Sequence, residues 1–147
     1  MEFTRWVKWK DRDQLDNMKY PGVYALAISE KDISDTDFDW IKEIIYIGMT
    51  NSRGGLRSRL QQFENVVMGK EGHGGSKRVI HRHTDPQKLL STLYVSVKPF
   101  QCNVKTNQIG DLLVMGKVAE YEFIAFSEYV KRFEELPEFN DKERSVK

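Results

Sequence analysis

Apolar and polar residues fall along this chain in short blocks that switch between the two-residue rhythm of strands and the three-to-four-residue rhythm of helices. Pro21-Gly22 is a turn dipeptide, and Val23-Tyr24-Ala25-Leu26-Ala27-Ile28 after it reads as a buried strand. Glu43-Ile44-Ile45-Tyr46-Ile47-Gly48 reads as a second strand, rich in β-branched residues and ending at a glycine. The Ser/Asp-rich stretch between them is predicted to be a surface loop, which makes the two strands an antiparallel pair. Leu56, Leu60, Phe63 and Val67 then recur at helical spacing, predicting a helix capped by Asn51 or Ser52 and ending near Met68.

The glycine-rich run from Gly69 to Ser76 predicts a loop, followed by a short helix from Ser76 to His83 that Asp85-Pro86 terminates. Leu89 to Phe100 alternates well enough to predict a third strand. On a long helix from about Asp111 to Phe133, Leu112, Met115, Ala119, Phe123, Phe126 and Val130 form a stripe predicted to face the core. The order ββααβα describes an α+β fold, a small central three-stranded antiparallel sheet flanked by helices. One domain over residues 21–140 accounts for these elements. Residues 1–20 are expected to be an N-terminal appendage packing on it, and residues 141–147 a charged tail. Trp6, Trp9 and Trp40 fit either the core or a contact surface.

At 147 residues and 39% apolar, the chain has the size and the core material of one domain and too much apolar content for a disordered segment. No apolar run approaches the ~20 residues of a membrane span, and the charged start is unlike a signal peptide. One cysteine, Cys102, makes no internal disulfide, so the expected location is cytoplasmic. The net charge of +1 excludes a histone-like basic protein, yet it conceals a segregation. Met49 to His83 holds seven Lys/Arg against two acids, and all three histidines. Ser29 to Glu43 holds six acids against two lysines. A basic block between acidic flanks predicts one face built for an anion.

Two tripeptides give that anion an identity. Gly22-Val23-Tyr24 lies on the first predicted strand and Tyr46-Ile47-Gly48 on the second, with Leu56-Arg57-Ser58-Arg59-Leu60 on the helix after them. Glu120-Tyr121-Glu122-Phe123-Ile124 and Pro137-Glu138-Phe139-Asn140 follow on and after the long helix. Together these resemble the GIY-YIG nuclease family over roughly Pro21 to Asn140, with Val23 as a conservative change in the first tripeptide. The resemblance implies a metal-dependent endonuclease that hydrolyses nucleic-acid phosphodiesters, with DNA as the expected substrate and a single Mg²⁺ (or Mn²⁺) as cofactor. It implies that Gly22, Gly48 and Asn140 hold the motif, that Arg59 stabilises the transition-state charge, and that Glu120 binds the metal.

The residue chemistry agrees. Phosphodiester hydrolysis needs an activated water and a charge clamp on the phosphorus centre. Tyr24 and Tyr46 suit proton relay and water positioning, and Arg59 offers a permanently charged forked donor. Arg57 and Arg59 point about 160° apart on a helix, so only one faces the strands, and the apolar stripe lies nearer Arg59. Between Glu120 and Glu122 the signals divide. Periodicity slightly prefers Glu122 as the inward carboxylate, while the Glu-x-x-x-Ile spacing of the resemblance selects Glu120. Arg53, Arg57, Lys77, Arg78 and Arg82 supply counter-charge for a nucleic-acid backbone.

The chain departs from the family where Met49 and Phe63 stand at positions that are often lysine and a histidine or tyrosine. His73 in the glycine loop is the expected substitute in the proton relay. The other function on the same scaffold is a nucleic-acid-binding module with weak or no cleavage. With no separate DNA-binding domain, specificity would come from a homodimer or a larger complex.

Overall fold

The computed structural model describes residues 2–69 and 85–140. Its elements in chain order are β1 (Val7–Lys8), a 3-10 helix (Trp9–Gln14), β2 (Gly22–Ile28), β3 (Ile44–Thr50), α1 (Gly55–Val67), α2 (Pro86–Thr92), β4 (Leu93–Pro99) and α3 (Ile109–Phe133). The fold is α+β. Its sheet has four antiparallel strands in the order β1-β4-β2-β3, not the expected three. The extra strand comes from the segment read as an appendage. Val7 pairs with Val95 and Lys8 with Tyr94, and the Thr4 amide reaches the Val97 carbonyl at 2.8 Å. Two paired residues among tryptophans and charges give no alternation to read, so tertiary pairing alone makes this strand.

The two-residue period of β2 divides the core. Tyr24 and Leu26 point to the face covered by α1, where Leu56, Leu60 and Phe63 meet Val95 and Val97. Val23, Ala25 and Ala27 point to the other face, beneath Val118, Ala125 and Tyr129 of α3. Residues 1–20 are part of this architecture: Trp6, Trp9 and Met18 are all buried, and Trp40 is half-buried against Phe3 and Phe38.

Three boundaries differ from the pattern reading for local reasons. Neither Asn51 nor Ser52 caps α1. The helix starts at Gly55, and backbone carbonyls take its first free amides, Leu56 N–H donating to Tyr20 O and Arg57 N–H to Met18 O. Gly55 sits at φ +66°, where an added Cβ would lie 2.3 Å from the Lys19 carbonyl, so glycine is required at this junction. Asp85-Pro86 opens a helix: the Asp85 carboxylate accepts from the Gln87 and Lys88 amides, and Pro86 occupies the first turn. Residues Leu89 to Thr92 are therefore helical, and the strand begins at Leu93. The predicted helix from Ser76 to His83 lies outside the described residues.

The stripe expected to face the core on α3 does not. The helix is turned by roughly one residue, about 100°, so that Val118, Ala125 and Tyr129 are buried while Leu112, Phe123 and Val130 are exposed. Apolar residues occupy nearly the whole circumference of this helix, so periodicity had two faces to choose between.

Candidate active site

Tyr24, Tyr46 and Gly48 come together because β2 and β3 pair antiparallel with Tyr24 opposite Gly48 and Leu26 opposite Tyr46. Directly opposed residues share a face, so pairing with Leu26 puts Tyr46 on the same face as Tyr24, and the β-bulge at Ile45 comes only after it, between the Leu26 and Ala27 pairings. The two rings lie 6.2 Å apart, centroid to centroid, at 43°. Tyr24 is buried and Tyr46 half-buried. The Tyr24 ring extends over Gly48, where a Cβ would stand 2.5 Å from its Cζ and hydroxyl. The glycine of the second tripeptide is thus the space that the tyrosine of the first one fills.

α1 supplies the charge. Arg59 turns toward the sheet and is half-buried, while Arg57 is exposed to solvent. The Arg59 guanidinium lies near enough to the Tyr24 hydroxyl to favour its ionised form, and its Nε is buried with no hydrogen-bond partner among the described residues. Burial, reinforced by the neighbouring Tyr46 and Glu122, pushes the Tyr24 phenol far above its ordinary range despite the arginine. Tyr24 is a neutral hydroxyl here.

The rotation of α3 decides the carboxylate. Glu120 is exposed, on the side of the helix away from the sheet. Glu122 is half-buried on the sheet side, close enough to Arg59 and Tyr24 for its charge to act on both. The placement expected of Glu120 is therefore corrected to Glu122. Burial raises the Glu122 carboxyl by more than Arg59 lowers it, so its negative charge is only partly compensated. Among the described residues no three His, Cys, Asp or Glu side chains converge. A metal at this site would be held by one protein carboxylate, the donor set that suits a cation keeping most of its water shell.

Asn140 holds β3 in place. Its Oδ1 accepts from Ile47 N–H and its Nδ2 donates to Ile47 O, both at 2.8 Å, so the amide imitates one more strand on the free edge. Phe139 N–H donates to Ile45 O beside it, and the Phe139 ring is fully buried. The C-terminal segment so fixes the strand that carries Tyr46.

Arg53 and Arg57 are exposed near this end of the sheet. Lys19 and Lys105, which no sequence signal singles out, join Arg53 around a cavity of about 280 Å³. Asn51 was missed as well: its Nδ2 donates to Met115 O, and its buried Oδ1 has no hydrogen-bond partner among the described residues. Phe63 packs on Trp9 at 5.4 Å and belongs to the core, and Met49 is half-buried against the α3-side cluster. His73, Lys77, Arg78 and Arg82 lie outside the described residues. No helix among the described residues is long and apolar enough to cross a membrane.

No protein-family model, no curated protein and no solved structure matches this chain.

Proposed function

We propose that this chain is a metal-dependent endonuclease of the GIY-YIG type, hydrolysing phosphodiester bonds of a nucleic acid, with DNA as the expected substrate. The observation that supports it most is the convergence of Tyr24, Tyr46, Arg59 and Glu122 from four elements onto one half-buried spot. A half-buried guanidinium whose buried Nε has no partner among the described residues and a carboxylate short of positive charge are what a phosphate and a cation would complete. In this reading Glu122 takes the role that the spacing of the resemblance gave to Glu120.

Arg59 donates to the non-bridging oxygens and meets the charge that grows on them in the transition state. Tyr24, held neutral, donates its hydroxyl proton in a hydrogen bond and keeps the reacting group against Arg59. Tyr46, the more accessible phenol, orients the attacking water and relays its proton, its oxygen taking the water's proton as its own hydroxyl proton passes to bulk solvent. Glu122 would hold a single Mg²⁺ or Mn²⁺, which would supply neutralisation of the charge that develops during hydrolysis. Arg53, Arg57, Lys19 and Lys105 contact the flanking backbone, giving affinity that falls as salt rises.

The test is a plasmid-nicking assay in Mg²⁺ and in chelator. Wild type nicks only with metal, Arg59→Ala and Glu122→Gln lose the activity while folded, and Glu120→Gln keeps it. Activity lost in Glu120→Gln and kept in Glu122→Gln overturns the assignment. A second reading, a binding module without cleavage, is favoured by the neutral Tyr24 and by Phe63 lying in the core. Salt-sensitive DNA binding with no metal-dependent nicking selects it.

A further inference from the structure

The outward face of α3 is unlike the rest of the surface. Ile109, Gly116, Phe123 and Val130 stand seven residues apart, and Leu112, Ala119 and Phe126 follow the first three by three. This is the a/d spacing of a coiled-coil seam. Ile109 is 76% exposed, Leu113 63% and Phe123 71%, with Leu112, Ile124 and Val130 also open to solvent. These six side chains expose on the order of 600 Å² of apolar surface, at the upper limit for the largest patch on a monomer. The helix is roughly 37 Å long, and its flanks bring the face near the ~800 Å² that each partner buries in a standard interface.

We propose that this face is the interface of a homodimer in which the two α3 helices pack antiparallel about a two-fold axis. The spacing of sizes along the seam points to a second copy. Bulky residues occupy both ends, Ile109 and Leu112 at one and Val130 at the other beside Phe126, which is half-buried against the α3-side core, with Gly116 and Ala119 between them. A two-fold near Ala119 brings Phe123 of each copy against the Gly116–Ala119 gap of its partner, and a Cβ at Gly116 would meet nothing within 4 Å in the single chain. Such a surface is self-complementary, as an isologous contact requires. Segments of the same chain are poor covers: residues 70–84 contain Val79 and Ile80 as their only aliphatic residues, and residues 141–147 only Val146. The inference does not rest on the nuclease reading, because it is drawn from the solvent-exposed side chains of α3 and not from the half-buried Glu122.

Sedimentation equilibrium from about 1 to about 100 µM reads the outcome directly. Wild type is expected to approach twice its 17.2 kDa mass as concentration rises. Phe123→Glu is expected to remain monomeric with unchanged helix content by circular dichroism. Gly116→Leu separates size matching from general stickiness. It adds apolar surface, so nonspecific association strengthens, whereas a seam that needs the gap weakens at least tenfold. Should Phe123→Glu lose its fold, Ala119→Cys in a Cys102→Ser background decides, since oxidation links the two helices covalently if the axis passes there. A wild type monomeric throughout the range, a dimer indifferent to both Phe123→Glu and Gly116→Leu, or an Ala119→Cys variant that fails to cross-link overturns the proposal.

Discussion

Replacing Gly48 by alanine asks whether the two tyrosine motifs are one mechanical unit. The new Cβ would stand 2.5 Å from Tyr24 Cζ and hydroxyl, about 0.9 Å inside ordinary 3.4 Å contact. The ring has little room to retreat, because Tyr24 is only 3% exposed and lies in the α1-side core cluster with Leu56 and Leu60. Overpacking of this kind costs about 1–3 kcal/mol, which lowers the melting temperature by roughly 2–10 °C for a chain of this size. A displacement of about 1 Å at the Tyr24 hydroxyl also moves it from Arg59, and misplacement on that scale reduces a positioned reaction on the order of 100-fold. Chemical denaturation and the nicking assay measure the two effects, and a double-mutant cycle ties them to one contact. In a Tyr24→Ala background the alanine at position 48 has nothing to strike, so its cost should fall by at least about 1 kcal/mol. A Gly48→Ala protein with wild-type stability and activity, or a cost unchanged when Tyr24 is removed, refutes the packing argument.

Other perturbations test the charges and the strand edge. Burial raises the Glu122 carboxyl, so its contribution to stability is complete below the ordinary glutamate range near 4.5 and is lost as pH rises through the elevated value. Glu122→Gln should therefore melt higher than wild type at pH 8 in chelator, with the advantage shrinking in acid, while Mg²⁺ raises the melting temperature of wild type alone. Asn140→Ala leaves Ile47 N–H and C=O without their side-chain partners and should cost about 2–4 kcal/mol by denaturant unfolding. Ultraviolet titration of the phenols should find one tyrosine that stays protonated well above the ordinary range, and Tyr24→Phe should remove that residue from the curve.

Much of the scaffold was legible in the sequence. Short apolar runs bounded by Pro21-Gly22 and Gly48 located β2 and β3, and one clear apolar stripe both located α1 and turned Arg59 toward the sheet. These signals are local: strand burial and a single amphipathic face leave their period in the chain itself. Asn140 was legible only through the resemblance, and its hydrogen bonds to Ile47 supply the physical reason for it. The fourth strand was not legible, because a two-residue pairing has no period. The short helix that Asp85-Pro86 opens was missed, because Pro in a helix's first turn and Pro just past a helix's end leave the same local signal. The long helix was the deepest ambiguity. Its sequence specified a helix but carried two apolar faces, and only packing against β2 and β3 determined which one the sheet would bury. That choice turned Glu122 inward and Glu120 outward, and it left the heptad seam through Phe123 in solvent. The sequence by itself determined the long helix, strands β2 and β3 and the chemistry available to them. Which carboxylate joins Arg59, and which apolar face remains to be covered, are decided by contacts between distant segments.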